Sequence, residues 1–485
     1  MSNKLAAFVA GVILFVSSCT KPNPIPDIGN QIPSAGDIPV AVTVDVSRSA
    51  VQIPANFTGL SFEKASLINS TWFGPYNIPL NNMVKALGQG VLRVGGASVD
   101  VVQWTDIVPQ GSTNYISGVE AQAFLSFAEA TGWPISWGVA SDPVENGWVQ
   151  AEVSLLAETY YSRDFLTYFE IGNEPDLYSL NGLRPSSYTY EGFKNDWTTT
   201  KDIIDEHYTT STPHFAGPET SGNSWTGAFV RDRHSFLSAL TEHYYKLGTG
   251  NDTTESIQRL LDGNDDVLAR VAVMKSIAAP YNLPIRLSEC NSVAGAKEGV
   301  SNTLAAALWG LDFMFALAQQ GIAGVNFHGG NAPSTPIVFL SGPAKPGPLY
   351  YGMLFFAQAT TGKKMLTVQS TPQSPINLTT YATQQTNGVV KVTLINKDLS
   401  KEAFVTLSAA NTDLSFELAS ATRLNAPSLS STNGILFGGS AVAADGTWEA
   451  TKTDDLVIAG NTTTVKVPAG SAVLLTLYKV RSKGQ

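Results

Sequence analysis

The chain has 485 residues and a formal net charge of −10, which is room for a large domain plus a smaller one. That acidity argues against nucleic acid or an anionic membrane surface as a partner. Hydrophobic residues make up 43% and aromatic residues 10%, so a packed core is affordable and disorder is not the default.

In chain order, a basic start, an apolar run from Leu5 to Val16 and small residues before Cys19 read as an export signal over residues 1–19. The run is too short for a comfortable membrane span. Val16, Ser17, Ser18 and Cys19 resemble a bacterial lipobox, so a lipid on Cys19 is the one membrane attachment expected, with ordinary cleavage nearby as the alternative. The predicted location is therefore extracytoplasmic, secreted or held as a cell-envelope lipoprotein. Residues 20–39 are rich in Pro, Gly and Asn and read as a linker. Val40 to Val46 alternates strictly and predicts a strand with one wet face, belonging to an antiparallel sheet.

From Phe57 the texture changes to short apolar runs alternating with helices. Eight strand ends follow in turn: GLSFEK (59–64), VLRVGG (91–96), ISWGVASD (135–142), YFEIGNE (168–174), HFAGPET (214–220), LTEHYY (240–245), IRLSEC (285–290) and GVNFHGG (324–330). Helices are predicted at 119–130, 189–207, 256–279 and 300–320, the last with one buried stripe of Leu304, Leu308, Leu311 and Phe315, and a final one lies near 350–361. Eight such units predict an α/β fold of (β/α)8 type, a TIM barrel over 56–362 with its site at the C-terminal strand ends. From residue 363 the chain alternates in short strands separated by turn residues, which predicts a β-sandwich formed by 363–485 together with 40–55. Cys290 reads as a buried packing thiol, with no disulfide expected.

Two of the strands close on a carboxylic acid, Glu174 before a proline turn and Glu289. Acids on opposite sides of a closed barrel are what glycosidic-bond cleavage needs, and for retaining chemistry their carboxyls sit about 5–5.5 Å apart. Glu174 is the candidate general acid/base and Glu289 the candidate nucleophile. Glu174 must carry a proton when it donates to the leaving oxygen, and burial beside the Glu289 charge is expected to help it keep one. Asn173 suits a sugar 2-hydroxyl, Tyr245 closes the sixth strand within reach of Glu289, and Arg93 ends the second, placed to orient and ionise Glu289. Glu63, Glu219 and His328 also fall at strand ends that can reach the barrel mouth. No His, Asp or Glu cluster has metal-ligand spacing, so neither a metal nor a cofactor is expected. Gly95 and Gly96 lack a phosphate-loop pattern and read as a turn.

These residues resemble a known family. The NEP of FEIGNEPD, the HYY of the sixth strand and RLSEC resemble the clan A glycoside hydrolases. The ordered set GLSFEKAS, LRVGGASVD, EIGNEPDLY, RLSECNS and VPAGSAVLLTLY is similar to glycoside hydrolase family 79, the β-glucuronidase and heparanase-like group, over nearly all the chain beyond the linker. The resemblance implies retaining removal of terminal β-linked glucuronic acid, with or without a 4-O-methyl group, from an oligo- or polysaccharide containing uronic acid. It also implies that Glu63, Asn173 and Tyr245 line the sugar subsite. In that group neutral donors on the loops after strands seven and eight meet the uronate; here those loops, CNSVAGAKEG and GGNAPSTPIV, hold no tyrosine, and Lys297 is the candidate substitute. Two other readings stay open: a clan A glycosidase for a neutral sugar, of β-xylosidase or arabinofuranosidase type, and a surface lipoprotein that binds carbohydrate without cleaving it.

Overall fold

The computed structural model describes residues 32–68, 71–109, 111–141, 147–159, 165–208, 212–249, 256–330, 332–339, 343–362, 364–410 and 416–479. The expected export signal, Cys19 and residues 20–31 of the expected linker lie outside these. The described chain opens with strand β1 (Ile38–Gln52). It starts inside the stretch read as linker, because the Ile38 N–H donates to Glu402 O at 2.8 Å and Ile38 registers with Ala403.

Eight parallel strands then close into a barrel: β2 (Thr58–Glu63), β3 (Gly90–Gly95), β4 (Ile135–Val139), β5 (Leu166–Ile171), β6 (Phe215–Thr220), β7 (Leu237–Thr249), β8 (Ile285–Ala294) and β9 (Gly324–Gly329). They are the eight strands expected from the sequence. Parallel strands are covered on both faces, which is why each reads as an apolar run. Nine α-helices lie among the described residues: α1 (Ile78–Ala86), α2 (Gly118–Thr131), α3 (Gly147–Thr159), α4 (Tyr190–His207), α5 (Thr226–Arg233), α6 (Ile257–Leu261), α7 (Asp265–Ala278), α8 (Leu304–Gln319) and α9 (Pro348–Ala359). Their ends follow local chemistry: α2 starts on a capping box of Ser117 and Glu120 and stops at Gly132, which is left-handed at φ 72°.

Two helix expectations need correction. The helix expected over 256–279 is two, α6 and α7, because Gly263 turns left-handed between them and Asp265 and Asp266 open a new N-terminus. Helix α8 does not bury one stripe: every residue from Leu304 to Ala318 is buried. The barrel covers one side and the C-terminal sheet the other. The charge in its middle, Asp312, is met from outside by Thr379 Oγ1 at 2.6 Å, Tyr381 OH at 2.7 Å, Lys397 Nζ at 2.7 Å and Asn264 Nδ2 at 2.8 Å. The Tyr381 ring stacks on Phe315 at 4.6 Å.

Besides two short pairs, Gln103–Trp104 with Tyr115–Ile116 and Ile337–Val338 with Lys345–Pro346, the strands after the barrel are β10 (Lys364–Pro372), β11 (Leu378–Gln384), β12 (Val390–Asn396), β13 (Ala403–Ala409), β14 (Phe416–Asn425), β15 (Leu436–Phe437), β16 (Asp454–Leu456), β17 (Ile458–Ala459), β18 (Thr462–Val467) and β19 (Ser471–Lys479). With β1 they form one eleven-stranded sheet in the order β15-β14-β19-β12-β11-β10-β1-β13-β18-β17, with β16 also on β14. The pairing is antiparallel except between β1 and β13. The sheet folds over so that β14 meets β17 and β16 meets β18, giving the sandwich its two layers. Between the layers Val40, Val42 and Val44 of β1 pack with Val405, Leu407, Val465 and Leu475, the alternation read from the sequence.

Candidate functional site

The barrel interior departs from an all-aliphatic filling. Near its floor Arg286, 2% exposed, donates Nε to Asn326 Oδ1 at 2.5 Å, and burial lowers its pKa to about 10. Higher up, Arg93 of β3 is surrounded by three carboxylates: Nε lies 2.5 Å from Glu170, Nη1 2.7 Å from Glu289 and Nη2 3.0 Å from Glu219. It also donates to Asn173 Oδ1 at 3.1 Å and Ser61 Oγ at 3.0 Å. The guanidinium has room because residue 95 is glycine: a Cβ there would come within 2.2 Å of Arg93 Cζ, and one at Gly96, φ 79°, within 2.4 Å of the Glu63 carboxyl. The pair expected as a turn is the last residue of β3 and the bend after it, and it is also the space in which both side chains sit. Gly95→Ala is expected to cost about 1–3 kcal/mol by overpacking and to lower kcat through Arg93, as read by urea unfolding and initial rates.

The strand ends place the two candidate acids. After β5, Gly172 turns left-handed at φ 75° and Glu174 follows at φ 51°, with Pro175 starting a short helical turn. A left-handed non-glycine residue costs about 1–2 kcal/mol, so the conformation needs anchors. One is the Glu174 N–H, which donates to Glu219 O at 2.8 Å. Glu219 is left-handed too, at φ 59°. Across the barrel, Glu289 Oε1 accepts from Tyr245 OH at 2.7 Å while Oε2 faces Arg93. Burial opposes ionisation of Glu289, but the His328, His243 and Arg93 charges and the Tyr245 hydroxyl outweigh it and hold the carboxyl far below its ordinary range. The carboxyl oxygens of Glu174 and Glu289 come within 4.8 Å of each other.

A cavity of about 650 Å³ lies over this pair at the C-terminal strand ends. Glu63, Asn173, Glu174, Tyr245, Glu289 and His328, all singled out in the sequence, line it together. Glu63 accepts from the Ser98 N–H at 2.9 Å and lies 3.4 Å from His328 Nε2, and His328 Nδ1 is 3.0 Å from Ser61 Oγ. Burial disfavours charge on His328, but the Glu289 and Glu63 carboxylates raise its pKa. Three candidates fall elsewhere. Arg93, 1% exposed, sits beneath the cavity floor and reaches substrate only through Glu289 and Asn173. Glu219 does not rise to the mouth: its side chain turns inward to Arg93, His243 and Ser288 Oγ, the last at 2.7 Å. Lys297 lies off the cavity, because its loop presents Ala294, Gly295 and Ala296 there instead.

Two titratable residues around Arg93 escaped the sequence reading. His243 is fully buried, with Nδ1 3.1 Å from Glu174 Oε1 and Nε2 3.0 Å from Glu219 Oε2. Burial works against its charge, but Glu289, Glu174 and Glu219 raise its pKa to about 10. It stands two residues before Tyr245, and strand alternation puts both on one face. Glu170 sits between Phe169 and Ile171 on the inward face of β5, its pKa raised by burial and the Glu219 charge against the pull of Arg93. Glu174, His243 and Glu289 are also close enough to suggest a cation site, a grouping that no sequence spacing shows. Both His243 nitrogens face carboxylates, Glu174 on one side and Glu219 on the other, which ties the group into the ion network around Arg93.

The raised His243 pKa sets a pH dependence. Folding stabilises the protonated ring, so this contribution is full below the ordinary value of 6.5 and is lost as pH rises through about 10. His243→Asn is expected to flatten the fall in stability over that window, as read by urea unfolding at stepped pH.

The structure thus joins a parallel barrel with opposed carboxylates on its C-terminal side to a two-layer sheet, with arginine and histidine charges behind the acids. The comparisons narrow this. Residues 380–474 match the model of the "Glycosyl hydrolase family 79 C-terminal beta domain". A β-glucuronidase of Aspergillus niger is 27% identical over 262 residues, 48% of this chain and 47% of that one. One of Neurospora crassa is 26% identical over 273 residues, 46% of this chain and 47% of that one. The chain thus spans about half the length of the curated relatives it matches. Among solved structures, a 4-O-α-L-rhamnosyl-β-D-glucuronidase of Fusarium oxysporum aligns with TM-score 0.72 at 20% identity, covering 90% of this chain and 100% of that one. A GH51 arabinofuranosidase of Xanthomonas axonopodis pv. citri aligns with TM-score 0.63 at 18% identity, covering 91% of this chain and 100% of that one. At these identities the two structures show the fold. The family match is to the C-terminal β domain, residues 380–474.

Proposed function

We propose that the chain is a retaining β-glucuronidase. The observation that carries the chemistry is the opposed pair: Glu174 and Glu289, with carboxyl oxygens within 4.8 Å, stand close enough for double displacement and too close for the water an inverting enzyme needs. Glu289, ionised and aimed by Tyr245 and Arg93, attacks the anomeric carbon and forms a glycosyl ester while Glu174 gives its proton to the leaving oxygen. Glu174 then takes a proton from water, which attacks the same carbon and releases the sugar and free Glu289. Asn173, Glu63 and His328 bind the sugar hydroxyls.

The choice of glucuronic acid is supported by the family and by the glucuronidases among the relatives. Small residues, Ala294, Gly295 and Ala296 with Gly329 and Gly330, form part of the cavity wall supplied by the loops after strands seven and eight. The Leu5–Val16 run and Cys19 support export with a lipid anchor, which would hold the enzyme at the cell envelope against a uronate-bearing glycan.

Initial rates on p-nitrophenyl β-glucuronide, glucoside, galactoside and xyloside, with Glu174→Gln and Glu289→Gln alongside, test this reading. Hydrolysis confined to the glucuronide and lost in both variants is the expected result. Cleavage of a neutral glycoside would keep the mechanism and overturn the substrate.

A further inference from the structure

The motif GGASVD after β3 contains a carboxylate that the roles above leave unused. Asp100 closes the helical turn Ala97–Asp100, and it gathers donors from beyond two neighbouring strands. Its Oδ1 accepts from the Ser141 N–H at 3.0 Å, just past β4. Its Oδ2 accepts from the Asn173 N–H at 3.0 Å and from the Tyr178 hydroxyl at 2.8 Å, both just past β5. Tyr178 is fully buried, and its oxygen lies 2.9 Å from Ser141 Oγ. A Cβ on residue 172 would come within 2.3 Å of that oxygen, so Gly172 is what lets the chain pass over it. Burial raises the Asp100 pKa against these hydrogen bonds.

We infer that Asp100, with Tyr178, is a positioning residue for the general acid, holding the backbone at Asn173 so that the left-handed Glu174 aims its carboxyl at the leaving oxygen. The inference rests on the assignment of Glu174 as acid/base. Glu174 is tied on its far side by the Glu219 carbonyl. Asp100 supplies the anchor on the near side, one residue upstream. Asparagine at position 100 turns one acceptor oxygen into a donor facing other donors, which releases the loop without altering any group in the cavity.

A loop that only stabilises the fold and a loop that aims an acid differ in one measurable way. Protonation of the leaving oxygen matters in proportion to its basicity, so loss of the acid's aim penalises poor leaving groups and spares good ones. The experiment measures kcat/KM for the wild type, Asp100→Asn, Tyr178→Phe and Glu174→Gln on aryl glycosides of the sugar that the wild type cleaves, from 2,4-dinitrophenyl to phenyl. For Asp100→Asn the phenyl glycoside is expected to fall on the order of 10- to 100-fold, because small misplacements are costly at this step. The dinitrophenyl glycoside should stay within about threefold of the wild type, since its leaving group needs little proton transfer. Tyr178→Phe, which keeps the carboxylate on the Asn173 N–H, should shift in the same direction by less, and it decides the matter if Asp100→Asn does not fold. Equal losses along the series, or none, would overturn the inference. A flat series for Glu174→Gln would instead sink the acid/base assignment beneath it.

Discussion

Glu289→Gln is expected to lower kcat/KM on the order of 10⁴-fold or more, because an amide cannot form the glycosyl ester through which the reaction divides. The substitution keeps the shape of the side chain and leaves Tyr245 and Arg93 in place. A 2-fluoro glycoside, whose ring slows breakdown of the ester, should label the wild type on the peptide containing Glu289 and leave the variant unlabelled. Stability should move in a defined way as well. The folded-state pKa of Glu289 is depressed below its ordinary 4.5, so its charge contributes stability above that pH and loses it as pH falls through the depressed value. Any deficit of the variant should therefore be present at neutral pH and shrink in acid. Turnover by the variant at a tenth of the wild-type rate would remove Glu289 from the nucleophile's role.

Arg93→Met is expected to be the most damaging change outside the cavity. It leaves Glu170, Glu219 and Glu289 buried around a side chain without charge, and breaking even one buried pair costs about 3–5 kcal/mol. The orphaned carboxylates would relieve the strain by binding protons. The folded variant would then hold more protons than the unfolded chain, so its stability should fall as pH rises and its deficit should be larger at pH ~7.5 than at pH ~5. Urea unfolding at the two pH values reads this directly. A loss below about 1 kcal/mol at both would mean that Arg93 does not balance the barrel's charges. Activity should drop at least on the order of 10²-fold, since Glu289 loses the charge that aims and ionises it.

The eight barrel strands were legible because burial on both faces writes itself as short, largely apolar runs, as in Ile135–Val139. Six cavity residues were legible as well, since each stands on the C-terminal side of the barrel; Tyr245 and Glu289, expected to close their strands, lie within strands that run on to Thr249 and Ala294. Below the cavity only the Arg93–Glu289 pairing was legible. That Glu170, Glu219 and His243 join Arg93 was not: they meet it across separations such as 77 residues for Glu170 and 150 for His243, and no local pattern records which inward-facing charges share a level of the barrel. His243 was the nearest miss, visible in HYY but passed over for Tyr245. Helix α8 was misread for a different reason: its run of Ala, Leu, Trp and Phe is apolar all round, the mark of a helix covered on every side, and a single stripe was drawn from it. The turn at Gly263 was lost inside a long helical pattern. Lys297 was chosen for its charge, while the fold turns small neighbours of its loop toward the cavity.

The position of β1 bears on how the chain is made. It is synthesised before the barrel, yet both of its partners, β10 and β13, come after it. At ribosomal speeds that wait is on the order of tens of seconds, during which β1 exposes valines and unpaired edges. A chain cut short before β13 would hold all eight barrel strands and an open sheet. The strand at the front thus stays without its sheet partners until β10 and β13 are present, so neither end segment completes the sheet by itself.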